Sequence, residues 1–221
     1  MLLRSPAVGA IATLPSPSPH ALRLAGRHLL EVAPPRVEAC EAAEVVVVIS
    51  RSRDPEREVF LERCAADGVP VVVRPSGGGA VVLGPGTVAA SALLSADPAV
   101  HFPEPYFRRL CGAVAEALAA CGVSGVTLRG VSDLCLGERK VAGSSLRLAG
   151  GRVLFQTSLL VAPDLALLER YLRHPSREPE YRRRRPHREF VTSLRESGYA
   201  LAPAQVAAAV RARLEREILE R

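Results

Sequence analysis

The chain has 221 residues, 48% of them hydrophobic and only 4% aromatic, with a formal net charge of +6. That length and apolar content suffice to bury one good core, and no apolar run approaches the ~20 residues that span a bilayer. Five cysteines with no CxxC pair argue against a zinc site or a disulfide framework and fit reduced thiols in a cytoplasm.

The start is mildly apolar, carries one arginine and runs into Pro15-Ser16-Pro17-Ser18-Pro19. Residues 1–20 therefore read as a loose arm or a misassigned start rather than a signal peptide, followed by one domain over residues 21–221. Residues 21–32 read as a helix with Leu22, Leu24, Leu29 and Leu30 as its apolar positions, ended by Pro34-Pro35. Residues 45–50 form a buried strand. Pro55 can open a helix in which Val59, Phe60 and Cys64 share a face, and Gly68 can close it. Cys64 is then a core residue.

Residues 69–73 have the continuous β-branched character of a strand covered on both faces. Residues 81–83 and 88–94 suggest a hairpin around Gly84-Pro85-Gly86. Residues 105–121 make an amphipathic helix, with Phe107, Leu110, Cys111, Val114, Leu118 and Cys121 along one side. Residues 132–145 read as a strand, a Gly-Glu turn and a second strand starting near Lys140. Residues 153–161 are a central strand, followed by a helix from 164 to about 173. Residues 204–219 repeat Val206, Val210, Leu214 and Ile218 as a helical stripe.

Two segments carry chemistry. Arg74-Pro75-Ser76-Gly77-Gly78-Gly79-Ala80-Val81 places a cation beside a turn whose glycines can take positive φ and admit a ligand close to the backbone. Successive N–H groups in such a turn can form an anion-binding nest, and Arg74 adds a planar fork suited to phosphate or carboxylate. No Gly-Lys-Ser/Thr follows, which excludes a Walker loop. In the second segment, Ser132 to Ser145, Lys140 is followed by the small residues Ala142, Gly143, Ser144 and Ser145. An ammonium there has room to hold a carbonyl and a phosphate together as charge builds between them. Asp133 can orient the lysine, help hold a metal, or merely cap the hairpin.

The pair RPSGGGAV and SDLCLGERKVAGSS resembles the lipoate–protein ligase A family, within the wider group of biotin protein ligases and lipoyl/octanoyl transferases. The resemblance continues through Arg152 to Leu160 and Phe190 to Leu194. It implies an α/β (α+β) fold, a mixed β-sheet flanked by helices like the catalytic domain of class II aminoacyl-tRNA synthetases and biotin synthetases. It further implies ATP with Mg²⁺ as co-substrate and lipoate or octanoate as the acid. The acceptor would be a lysine on a lipoyl-carrier domain or a glycine-cleavage H-like protein. In that reading Lys140 is the electrostatic catalyst. Arg74, Ser76, Gly77, Gly78, Gly79, Ala80 and Val81 hold the acyl head and adenylate, Asp133 supports Lys140 or Mg²⁺, and Gly143 and Ser144 wall the acyl tunnel.

The sequence departs from the family pattern at Val73, Leu83, Thr87, Ser50-Arg51, Gln156-Thr157 and Val131-Ser132, largely on the nucleotide side. A non-catalytic binder or one part of a split enzyme, with the accessory domain on a separate polypeptide, is the corresponding alternative. Another is ATP-independent transfer through a cysteine thioester, for which Cys121 and Cys135 are the candidates. Arg182-Arg183-Arg184-Arg185-Pro186-His187-Arg188 supplies five arginines in seven residues. It lacks interleaved aromatics or a recognisable module, so a nucleic-acid partner is not expected. It reads either as a solvated loop or as a basic surface that steers an acidic carrier domain.

Overall fold

Nine strands divide into two sheets in the computed structural model, which describes residues 14–220. The larger sheet contains β1 (Arg36–Glu41), β5 (Thr87–Ser95), β6 (Val126–Arg129), β7 (Asp133–Leu136), β8 (Arg139–Ala149) and β9 (Arg152–Leu160), in the order β1-β5-β9-β8-β7-β6 and antiparallel throughout. The smaller holds β2 (Val46–Ser50) between β3 (Val71–Arg74), which is parallel to it, and β4 (Val81–Leu83), which is antiparallel. The expected mixed α/β architecture with flanking helices is the one observed. Part of the expected arm, residues 1–13, lies outside the described residues; from Ser18 onward the chain is structured, its hydroxyl capping α1 (Pro19–Leu24) through the Ala21 N–H.

Side-chain periodicity explains the layers. Val46 and Val48 of β2 pack with Leu24 of α1, while Val47 and Ile49 pack with Val59, Leu61 and Cys64. A strand buried on both faces needs an unbroken apolar run, which is what Val46 to Ile49 supply. One face of the large sheet is covered by α4 (Pro103–Ala120) and α7 (Pro203–Leu219), which pack on each other and on the sheet. Phe155 of β9 sits in that core with no exposed surface, its ring edge-on to Phe107 of α4 at 6.4 Å. The opposite face of the large sheet carries Ser91, Ser145 and Gln156 and looks toward the small sheet.

Several expectations change where the chain must pass between layers. The first helix stops at Leu24 because Gly26 takes φ 72°, and residues 27–31 continue as a 3₁₀ turn. A Cβ at Gly26 would overlap the Gln156 amide, so the backbone comes closer here than any side chain permits. The helix expected to start at Pro55 is two pieces, α2 (Pro55–Glu58) and α3 (Leu61–Ala66). Val59 leaves the helix to form a bridge with Leu172, and the Phe60 N–H donates to the Tyr171 carbonyl of α5 (Ala166–Tyr171). Strands β4 and β5 are not a hairpin. The turn at Gly84-Pro85-Gly86 instead hands the chain from one sheet to the other, with β4 paired to β2 and β5 to β1 and β9. Strands β1 and β6, the edges of the large sheet, are not apparent from periodicity. Among the described residues no helix is long and apolar enough to cross a membrane.

Truncating Phe155 to Ala removes the largest fully buried side chain from the centre of this core. The expected cost is about 3–5 kcal/mol, read as a lower urea midpoint at unchanged slope.

Candidate active site

The two chemistry-bearing segments meet across a cavity of about 320 Å³ between the sheets. Lys140 reaches it through an irregularity in the β7–β8 hairpin. Asp133 pairs with Gly143 and Leu134 with Ala142, but Cys135 pairs with Lys140, which leaves Val141 as the extra residue of a bulge. Strict alternation would send Lys140 and Gly143 to opposite faces; the bulge puts them on the same one. The lysine then lies back over Gly143, where an added Cβ would stand 2.5 Å from Nζ and 2.6 Å from Cε. Its ammonium meets Asp133 Oδ1 at 2.7 Å. The strand is also pinned from outside, where the Thr192 N–H donates to the Lys140 carbonyl at 2.8 Å.

Lys140 is the only lysine in the sequence; every other fixed cation of the chain is an arginine. An ammonium is a compact point charge with three rotatable donors, and a guanidinium fork cannot replace it in a pocket floored by glycine. That rarity is plain in the composition, and it singles out Lys140 more sharply than its small neighbours do.

Tyr181 completes the cluster and was not among the expected site residues. Its hydroxyl donates to Asp133 Oδ2 at 2.8 Å, and burial together with the Asp133 charge pushes its pKa up. Asp133 therefore has each oxygen engaged, one by Lys140 and one by Tyr181. Nothing in local sequence links residues 133 and 181; Gly130, with φ 59°, makes the β6–β7 turn that runs beside Tyr181 and Pro179.

On the facing wall, Arg74 spends its guanidinium on the glycine turn itself. It donates to the Gly77 carbonyl from Nε (3.1 Å) and Nη2 (2.7 Å), to the Gly79 carbonyl (2.7 Å) and to the Val48 carbonyl (3.2 Å). Burial, with Arg53 nearby, lowers its pKa to about 10. A Cβ on Gly78, whose φ is 94°, would sit 2.8 Å from Arg74 Nη2, so the glycine is needed for the turn to close over the arginine. Ser76 fastens the turn to the large sheet through Gln156 Oε1 (2.6 Å) and Ser145 Oγ (2.8 Å).

Of the expected residues, Arg74, Gly78, Gly79, Ala80 and Val81 line the cavity from one side, and Asp133, Lys140, Gly143 and Ser144 from the other. Ser76 and Gly77 lie behind the lining. Arg129, Arg177, Arg182 and His187 line it as well, although none was expected there. The arginine-rich segment is thus not a solvated loop along its whole length: Arg182 is only 4% exposed. The density of arginine is a signal for the segment, but not for which one turns inward.

None of the five cysteines lines the cavity. Cys135 is buried beneath Tyr181, Cys121 lies past the end of α4, and burial raises both pKa values. Cys111 lies 3.5 Å from the hydroxyl of Ser144, a lining residue, but burial pushes its pKa up to about 11. Among the described residues no three His, Cys, Asp or Glu are grouped to hold a metal ion.

This fold, 94% of the chain, superposes on the bipartite lipoate protein ligase of Thermoplasma acidophilum, a structure reported with its E2 lipoyl domain (TM-score 0.77, 24% identity, 82% of that chain). At that identity the likeness establishes the fold alone. The sequence profile described as lipoyl protein ligase A/B catalytic domain matches residues 29–215, and the chain belongs to that family. A lipoate–protein ligase of Streptococcus pyogenes is 35% identical over 128 residues, 58% of this chain. An octanoyl-[GcvH]:protein N-octanoyltransferase of Kyrpidia tusciae is 36% identical over 115 residues, 49% of this chain. The chain spans only 37% of the length of each of these two relatives.

Because Lys140 is unique, its amine can be followed alone by peptide mass spectrometry during limited acetylation. Gly143→Ala is expected to displace the lysine from Asp133 and speed its labelling, because the added Cβ would meet Nζ and Cε. Equal labelling in both proteins would show that Gly143 does not seat the lysine.

Proposed function

We propose that this chain activates lipoate or octanoate with MgATP to an acyl-adenylate and passes the acyl group to a lysine of an acyl-carrier domain. The observation that carries this reading is the chain's sole lysine, ion-paired with Asp133, in a cavity that no cysteine lines. A free carboxylic acid has a poor leaving group, and adenylation supplies a better one without a protein nucleophile. A carboxylate oxygen bonds to the α-phosphorus, the Pα–O bond to pyrophosphate breaks, and pyrophosphate leaves with the electron pair. The acceptor amine then attacks the carbonyl, AMP departs, and the amine gives up a proton.

Positioning and charge stabilisation do most of this work. Lys140 can hold the acyl carbonyl and the α-phosphate together. Asp133, fixed by Tyr181, keeps the ammonium aimed. Arg74 acts through the shape of the glycine turn whose carbonyls it binds. Mg²⁺ would arrive on the nucleotide: with both Asp133 oxygens engaged, phosphate oxygens and water are its natural ligands here.

The bipartite neighbour, reported with its E2 lipoyl domain, and the octanoyl-[GcvH] relative support an acceptor lipoyl domain or H-like protein and a separate accessory domain as partners. The likeness to an octanoyltransferase supports the rival, ATP-independent reading, whose best foothold is Cys111 beside Ser144. A thiol pushed to about 11 has little thiolate at neutral pH, which disfavours it as a nucleophile.

Incubation with MgATP and octanoate or lipoate should yield acyl-adenylate and pyrophosphate, detected by mass spectrometry. Lys140→Ala should lower that rate by about 10²-fold or more, as loss of one preorganised donor does elsewhere. Cys111→Ala, Cys121→Ala and Cys135→Ala should each retain it. An octanoyl thioester on Cys111 formed without ATP would overturn the ligase reading.

A further inference from the structure

Passing an acyl group to a lysine requires a proton acceptor, because the attacking nitrogen sheds a proton as its bond to the carbonyl carbon forms. Lys140 and the arginines line the cavity as donors, and among the described residues no cysteine or glutamate lines it. The lining side chains that remain as bases near neutral pH are Asp133 and His187. Asp133 has one oxygen on the Lys140 ammonium and the other on the Tyr181 hydroxyl. Taking a proton there would dissolve the ion pair that aims Lys140. His187 carries no such duty.

His187 opens α6 (His187–Phe190), a single turn fastened to the lysine strand. Its carbonyl accepts from the Val191 N–H at 2.8 Å, and Val191 bridges Lys140. Arg139, the neighbour of Lys140, donates to the Val191 carbonyl at 3.0 Å and to the Arg188 carbonyl at 3.3 Å. The imidazole Nε2 lies 3.1 Å from the Arg173 carbonyl. A carbonyl only accepts, so Nε2 carries the hydrogen and Nδ1 presents a lone pair. Nδ1 makes no hydrogen bond among the described residues, and unlike Nδ1 of His28 it is not sealed from the surface. Burial, with Arg182 and His174 nearby, holds the ring's pKa below the ordinary histidine value, against the opposing pull of the Arg173 carbonyl and Glu169. The ring is therefore neutral near pH 7, oriented by one nitrogen and open at the other.

We propose that His187 is the general base of acyl transfer, taking the proton of the acceptor lysine through Nδ1. The inference rests on the acyl-transfer half of the reading above and not on the use of ATP. The lone pair of the amine forms the C–N bond, and the N–H proton moves to Nδ1. The C–O bond to AMP breaks, and AMP leaves with the electron pair. The imidazolium left behind is half-buried near Arg182, which favours return of its proton to solvent. Lys140 and His187 thus divide the work: one meets the charge building on oxygen, the other removes it from nitrogen.

Synthetic octanoyl-AMP bound to the full chain tests this in single turnovers, with Nα-acetyl-lysine methylamide or hydroxylamine as the acceptor. The lysine analogue must lose a proton to a base, whereas hydroxylamine is already a free, strong nucleophile at neutral pH. His187→Gln keeps an amide N–H for the Arg173 carbonyl and lacks the base. In that variant the ratio of the lysine rate to the hydroxylamine rate is expected to fall about 10²-fold or more. A folded His187→Gln protein with the wild-type ratio overturns the proposal. So does an equal loss with both acceptors, the mark of a merely structural residue. If the variant does not fold, the wild type decides. With an imidazole base, the lysine rate below the ring's pKa should fall by about two decades per pH unit, one for the amine and one for His187. A slope that stays at about one decade overturns the proposal. ATP–pyrophosphate exchange involves no amine and reports on the ligase reading separately. A wild type without exchange whose aminolysis of octanoyl-AMP depends on His187 keeps the base and removes that reading.

Discussion

The Lys140–Asp133 ion pair, 2.7 Å long and bound by Tyr181 from the far side, is the contact around which the cavity is organised. It draws on three distant parts of the chain: a bulged hairpin strand, the strand before it, and a segment more than forty residues later. Each part is itself constrained. The bulge turns Lys140 onto the face of Gly143, the missing side chain at Gly143 leaves a bed for it, and the Tyr181 hydroxyl holds the far oxygen of Asp133. Partial burial of both charges makes loss of either partner costly, because the charge left behind is unpaired.

The second organising junction joins the two sheets. Ser76 at the glycine turn binds Gln156 and Ser145 of the large sheet, and Gln156 in turn donates to the Ala25 carbonyl at 3.1 Å. One amide side chain thus ties the entry helix, the central strand β9 and the cavity-lining turn. Arg74 performs a parallel task from the small sheet by holding three carbonyls around the turn. Polar groups buried this deeply are tolerable because they satisfy one another, and their mutual geometry gives the glycine turn a single shape. The residues that line the cavity and those that hold the lining in place are therefore different sets.

Much of this was legible locally. The long amphipathic helices, the strand of Val46 to Ile49 and the Lys140 hairpin follow from periodicity and turn residues, because those patterns repeat within a few residues. The lysine's small neighbours and the glycine turn marked the site, and the single lysine in the composition marks it again. What local pattern could not supply were pairings across layers. Strand β1 has weak alternation and owes its place to β5. The helix at Pro55 breaks because Val59 and Phe60 find partners near Leu172. The turn at Gly84-Pro85-Gly86 looks like a hairpin and instead passes the chain between sheets.

By itself the sequence determined the family, the apolar layers and the cation at the centre, since motif spacing and periodicity act over short stretches of chain. Only the tertiary structure decided the use of each polar group. Arg74, which the sequence offers as a ligand fork, is consumed by the carbonyls of its own turn, whereas Arg182, one of many in a basic run, is folded inward with a nitrogen unsatisfied. The physical reason is that a side chain's polar role depends on what burial brings within hydrogen-bonding reach of it, and that neighbourhood is assembled from residues far apart in sequence.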